Sequence, residues 1–198
     1  MGYAQYVASP SARRTALVRR MQATQGTEYN PARDFYRGLR KAITDGRRSG
    51  RDSQSVTAAA ENAHTKKQSS YRRLGTAWLD LLEGELAEST WTEAPTLRWV
   101  QAGLAVKVTP ILGLTYPDGR QELVLIHFAL ERPHRDVVRA ALRVAQLAAQ
   151  ASGSAAEPIL VDLQQRTVHR PVLSDADYDA QLAAEAAGLS YLISNLAA

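Results

Sequence analysis

The side chains that could act as acids, bases, nucleophiles or metal ligands are few and scattered. The four histidines, His64, His127, His134 and His169, stand far apart. None has a second ligand at a spacing that recurs in metal sites, so each reads as a surface or hydrogen-bonded histidine. The chain has no cysteine, which removes a thiol nucleophile, a disulfide scaffold, an iron–sulfur cluster and the common zinc sites together. No Gly-x-Ser-x-Gly elbow occurs, and Gly103 and Gly113 are isolated rather than part of a phosphate-cradling loop. The carboxylates group in three places. Asp175, Asp177 and Asp179 read as a helix start, where acidic residues favour the dipole. Glu83, Glu85 and Glu88 read as a solvated connector. Asp162 interrupts the apolar run Pro158-Ile159-Leu160-Val161-Asp162-Leu163 and reads either as the wet side of a strand or as one acid of an unrecognised metal-dependent site.

A first helix is expected over residues 10–25, with Ala16, Leu17 and Met21 as a thin apolar stripe and Arg13, Arg14, Arg19 and Arg20 around the rest. Gly26 and Thr27 break it. Asn30 and Pro31 read as an N-cap followed by proline in the first turn, opening a helix in which Phe35, Leu39, Ala42 and Ile43 keep helical spacing. A third helix, from Asp52 or Ser53 to about Lys66, has a weak apolar face around Val56. A fourth carries Tyr71, Leu74, Ala77, Trp78, Leu81 and Leu82 three and four apart, a core-facing stripe. Lys66, Lys67, Arg72 and Arg73 crowd its start. Positive charge there opposes the helix dipole at roughly a few tenths of a kcal/mol per charge, unless an anion or acidic partner compensates.

Past Gly84 the texture changes to strands. Residues 97–100 and 104–108 are expected to pair through Ala102 and Gly103, with Pro110 marking an edge or bulge. Leu112, Leu114 and Tyr116 lead by alternation into Pro117-Asp118-Gly119-Arg120, a hairpin turn. The apolar run 122–130 reads as a central strand covered on both faces. A helix over 133–150 follows, then strands at 158–163 and 167–170 and a closing helix capped by Ser174 or Asp175. Arg135, Arg139 and Arg143, at four-residue spacing, are expected to line one exposed stripe of the 133–150 helix.

At 198 residues with 45% hydrophobic content, the chain is long enough to bury a core without a disulfide or a metal. It holds no run of 18 apolar residues, so no membrane span is expected. No secretory signal is read at the start, Tyr6 stands where myristoylation needs a Ser or Thr, and a cytoplasmic protein is expected. The formal net charge of +4 conceals a division: residues 1–75 hold 15 Lys/Arg against 5 Asp/Glu, and the remainder hold 9 against 15. Such asymmetry points to a polyanion-facing arm, or to two parts that neutralise each other.

The stretch 104–196, with Val106-Lys107-Val108 through Phe128, Arg132 to Gln150, and Pro158 to Pro171, resembles in element order the core of restriction-endonuclease-like nucleases, the PD-(D/E)XK superfamily. The resemblance implies a strand presenting an Asp, and a second strand presenting Asp/Glu-x-Lys, around a magnesium ion. Here Thr109, Pro110, Ile111 and Leu112 stand where the Asp belongs, and Ile126, His127 and Phe128 where the acid and lysine belong. Gln146 falls on the helix that carries a glutamine motif in some members. What is implied is the fold without the chemistry. The stretch 29–36, Tyr29-Asn30-Pro31-Ala32-Arg33-Asp34-Phe35-Tyr36, is also similar to one in actinobacterial proteins of no assigned activity that join a helical segment to such a fold.

The expectations are therefore an α+β or α/β protein, with a basic helical region over 1–88 followed by a β-β-β-α-β-β-α restriction-endonuclease-like core over 89–198. The leading functional reading is a non-catalytic nucleic-acid-associated protein that contacts phosphates through Arg13, Arg14, Arg19, Arg20, Arg47, Arg48, Arg51, Lys66, Lys67, Arg72, Arg73, Arg135, Arg139 and Arg143, with no cofactor and no metal. A protein-assembly module, docking on an acidic partner or a second copy, is the alternative, motivated by the thin apolar stripes of the first and third helices. A metal-dependent nuclease using Asp162 is the third.

Overall fold

Alternation within residues 121–127 decides the architecture. Leu123 and Leu125 face one way, and Val124 and Ile126 face the other. Both faces are apolar, so both must be covered. In the computed structural model, which describes residues 2–24, 34–172 and 176–196, this segment is the middle strand of a five-stranded mixed sheet. The elements are α1 (Gly2–Val7), α2 (Ser11–Thr24), α3 (Arg37–Ser49), α4 (Asp52–Glu61), α5 (Thr65–Glu83), β1 (Thr90–Thr92), β2 (Leu97–Gln101), β3 (Leu104–Val108), β4 (Leu112–Thr115), β5 (Gln121–His127), α6 (Arg135–Ala151), β6 (Glu157–Asp162), β7 (Thr167–His169) and α7 (Ala176–Leu196). The main sheet runs β1-β4-β5-β6-β7, with β5 and β6 parallel through α6 and the other pairs antiparallel. The protein is thus a mixed α+β structure.

Helices α3, α4 and α5 cover one face. Leu39, Ile43, Val56, Tyr71, Leu74 and Trp78 meet Leu112, Leu114, Val124, Ile159 and Val161 there. On the other face α1, α2, α6, α7 and the β2–β3 hairpin share a second core with Leu123, drawing in Tyr3, Tyr6, Val18, Trp99, Ala145, Leu182 and Leu189. Each core takes residues from both sides of position 88. Tyr3 donates its hydroxyl hydrogen to the carbonyl of Leu182, and α2 runs alongside α7 with Arg14 on Glu185 (2.6 Å) and the Gln22 amide on the carbonyl of Ile193 (3.0 Å). The stripe expected on α2 is only partly covered, with Ala16 exposed and Leu17 and Met21 half-buried, and it is Val18 that is buried there; on α4, Val56 and Ala60 are buried.

Several expectations change. The expected core order has three strands before its helix, whereas five precede α6. One is β1, an edge strand formed within the acidic connector by Thr90, Trp91 and Thr92 pairing with β4. The β2–β3 hairpin stays outside the main sheet. Its turn is Ala102 (φ 49°) and Gly103 (φ 78°), the paired left-handed geometry that suits a two-residue hairpin. Pro110 lacks a backbone donor, and there the chain leaves β3 and re-enters as β4, just before which the Ile111 N–H reaches the carbonyl of Val124 at 2.8 Å. The third helix ends at Glu61 rather than Lys66, because His64 turns extended (ψ 140°) and accepts from the Lys66 N–H as the cap of α5. His134 caps α6 in the same way. α1 is an additional helix. Gly26, Thr27, Asn30, Pro31, Ser174 and Asp175, read as breaks and caps, lie outside the described residues.

One glycine is fixed by close approach. A Cβ on Gly113 would stand 2.6 Å from Thr92 Cγ2 and 3.1 Å from the Thr92 carbonyl oxygen across the β1–β4 pair. Gly113→Ala is expected to lower stability by about 1–3 kcal/mol in urea unfolding, and Thr92→Gly in the same chain should recover part of the loss.

Candidate nucleic-acid interface

The structure divides the fourteen expected phosphate contacts into three groups. Arg14, Arg47 and Arg143 are held by carboxylates of this chain: Glu185 at 2.6 Å, Asp52 at 3.2 Å, and Asp179 through two nitrogens. Arg48, Lys67 and Arg139 lie over the rings of Trp91, Phe35 and Tyr178, at 4.7, 5.2 and 3.9 Å. Arg13, Arg19, Arg20, Arg51, Lys66, Arg72, Arg73 and Arg135 are exposed. They do not share one surface. Those of α2 lie in the layer with α7, whereas those of α4 and α5 lie in the layer on the opposite face of the sheet.

The stripe expected from Arg135, Arg139 and Arg143 is corrected. Arg143 is 8% exposed, turned into the contact with α7, where its Nε donates to Asp179 Oδ1 at 2.6 Å and its Nη1 to Gln146 Oε1 at 3.1 Å. Gln146 therefore serves that arginine. The two carboxylate bonds from Arg143 hold the Asp179 carboxyl below the ordinary carboxylate range, against the opposing effect of burial.

On α5 the arrangement is different. Thr65, Lys66, Ser69, Arg72, Arg73 and Thr76 recur at helical intervals and are all exposed, while Tyr71, Leu74, Ala77 and Trp78 are buried on the inner side. The outer face of the first three turns thus carries only cations and hydroxyls over about 16 Å. The first turn holds no acidic residue. Arg73 donates to Gln164 Oε1 at the β6–β7 turn, and Lys66 and Arg72 hold no ion pair among the described residues.

The residues that the sequence resemblance sets against a metal site are placed as follows. Thr109, Pro110, Ile111, Ile126 and Phe128 line an apolar chamber. Leu112 is buried in the core, and His127 donates from Nε2 to the carbonyl of Glu131 at 2.8 Å. Asp162 is on no wet face. It is fully buried, and its Oδ1 accepts the N–H groups of Gln164 and Gln165 at 2.9 and 3.2 Å, closing the turn into β7. Among the described residues no three of His, Asp and Glu converge, and no helix is long and apolar enough to cross a membrane.

No protein family, curated protein or solved structure matches the chain.

Two features are absent from the sequence reading. Glu122 is fully buried yet accepts from the Tyr116 hydroxyl at 2.6 Å, from Arg120 and from Arg170 at 3.4 Å; Arg170 also reaches Glu85 at 3.1 Å. Burial and then the bond to Glu122 push the Tyr116 phenol well above its ordinary value. The only sequence signal was a carboxylate opening a strand otherwise apolar. Arg37, the first residue of α3, lines the same apolar chamber as Thr109, Pro110 and Ile111; its signal was a cation at a helix start.

Because Asp179 titrates below its ordinary value of about 3.9, its pairing contributes stability in full above that value, and the contribution is lost as pH falls through the folded value. Asp179→Asn should cost about 2 kcal/mol at pH 7, since it removes two charge-assisted bonds to the buried Arg143. In urea titrations that gap between wild type and variant should narrow below about pH 4.

Proposed function

We propose that the protein is a non-catalytic, sequence-tolerant binder of nucleic-acid backbone, and that the outer face of α5 is its contact surface. The observation that carries this is the face itself: Lys66, Arg72 and Arg73 interleaved with Thr65, Ser69 and Thr76, exposed and without an acid in the first turn. Cations and hydroxyls are the side chains that contact phosphate oxygens. The lysines stand where the helix dipole opposes them, and a bound phosphate reverses that penalty. Arg51, exposed at the start of α4 in the same layer, extends the surface. Aromatic rings are scarce on it, which favours backbone contact over base stacking. The sequence resemblance of residues 104–196 to a nuclease core without its carboxylates and lysine, if it reflects kinship, is in keeping with binding in place of cleavage.

About three phosphates engaged at once give a slope near −3 in log affinity against log salt, so affinity should fall about sixtyfold between 50 and 200 mM salt. Fluorescence anisotropy on duplex and single-stranded oligonucleotides of mixed sequence measures this. Lys66→Glu combined with Arg72→Glu changes two exposed residues and should remove most of the affinity while leaving the thermal unfolding midpoint within a few degrees. No binding at 50 mM salt overturns the reading, and equal affinity for polyglutamate would instead favour an acidic protein partner.

A further inference from the structure

A cavity of about 970 Å³ is lined from both layers, by Arg37, Lys41 and Thr44 of α3 and by Val144 of α6 and Ile193 of α7, a volume at the upper end of the range of about 300–1,000 Å³ for small-molecule sites. It occupies the seam between β3, which is not bonded to the main sheet, and the β5–β6 pair. Its interior is built from Val106, Val108, Leu125, Val144, Leu160 and Ile193. These side chains are buried or half-buried, whereas the charged residues on the lining are nearer solvent: Arg37, Lys41 and Asp45 of α3 and Lys107 of β3 are exposed and Arg40 is half-buried, four cations against one acid.

The charge at this rim is unbalanced. Arg40 is tied to Asp34 at 3.0 Å and stands over the Phe128 ring at 5.8 Å. Lys41 pairs with Asp45, but the two side chains are 75% and 50% exposed, and such a pair contributes little and exchanges readily. Arg37 and Lys107 hold no ion pair among the described residues. Lys107 also sits directly across from Arg98 in the β2–β3 register, a like-charge juxtaposition that is unfavourable unless an anion approaches.

We propose that this chamber binds an acyl-chain anion, a long-chain carboxylate whose hydrocarbon lies against Val106, Leu125, Val144 and Leu160 while its head group is met by Arg37, Lys41 and Lys107. The apolar interior takes the chain because burying methylenes there removes them from water. The cationic rim selects the ionised head group over a neutral one. The site is separate from the α5 face and stands or falls independently of it.

The test is isothermal titration of the full chain with decanoate, laurate and myristate below their micellar concentrations, alongside laurate methyl ester. The expected result is one saturable site, with affinity rising by up to about fourfold per added methylene and the ester about tenfold or more weaker than the acid. Arg37→Ala with Lys107→Ala, both exposed, should bring the acid down to the affinity of the ester and leave the ester unchanged. Val106→Trp, which fills the seam, should abolish binding of both. Absence of saturable binding by the wild-type chain overturns the proposal, and so does equal affinity for acid and ester. Co-sedimentation with phosphatidylglycerol vesicles without binding of the free acids overturns it as well, since the ligand source would then be a membrane surface.

Discussion

The parallel pairing of β5 with β6 is the constraint from which the rest of the arrangement follows. Parallel neighbours need a crossover, and α6 supplies it on one face of the sheet. That leaves Val124, Ile126, Ile159 and Val161 on the opposite face with no cover from the segment that builds the sheet. The helices α3, α4 and α5, made earlier in the chain, provide it. Their apolar stripes turn inward, so their cations turn outward. The charge asymmetry between the two parts of the sequence is thus spread over two covering layers, α3 to α5 on one face of the sheet and α2 on the other, rather than gathered in a detached arm.

Long periodic segments were legible in the sequence because their spacing encodes the buried face directly. The stripe from Tyr71 to Leu82 gives α5, and the run from Leu123 to Ile126 gives a central strand. The Pro117–Arg120 turn was legible for a local reason: Gly119 adopts φ 83° and Asp118 accepts the Arg120 N–H at 2.9 Å. What could not be read depends on partners distant in sequence. Arg143 has the spacing of a surface residue and becomes buried only because Asp179 arrives 36 positions later. β1 has three residues and no periodicity, and exists because β4 offers it an edge. The split of the Leu97–Val108 hairpin from the main sheet is likewise decided by where α6 and α7 pack, not by the hairpin's own residues.

Two buried charges join elements that apolar packing alone would leave free to slide. Glu122 ties the β4–β5 turn, through Arg120, to Arg170 just beyond β7 and onward to Glu85 beyond α5. Arg143 ties α6 to the first turns of α7. Neither pair is strong evidence for stability, because desolvation offsets much of the attraction. Their geometric requirement is stricter than that of a leucine contact, and this fixes the register of the elements around the seam. The chamber lies at that seam, where β3 and the β5–β6 pair belong to separate sheets.

The hydroxyl of Tyr3 on the carbonyl of Leu182 has a bearing on how the molecule is made. A ribosome releases the N-terminal residues first, and chains acquire structure as they emerge. The helix carrying Tyr3 has its docking site 179 positions later in the chain, so the second core cannot close until α7 has been made. The layer formed by α3, α4 and α5 can gather earlier, since its contacts with one another are close in sequence. Until α7 has been made, Tyr3, Tyr6 and Val18 lack the apolar surface that buries them in the folded chain.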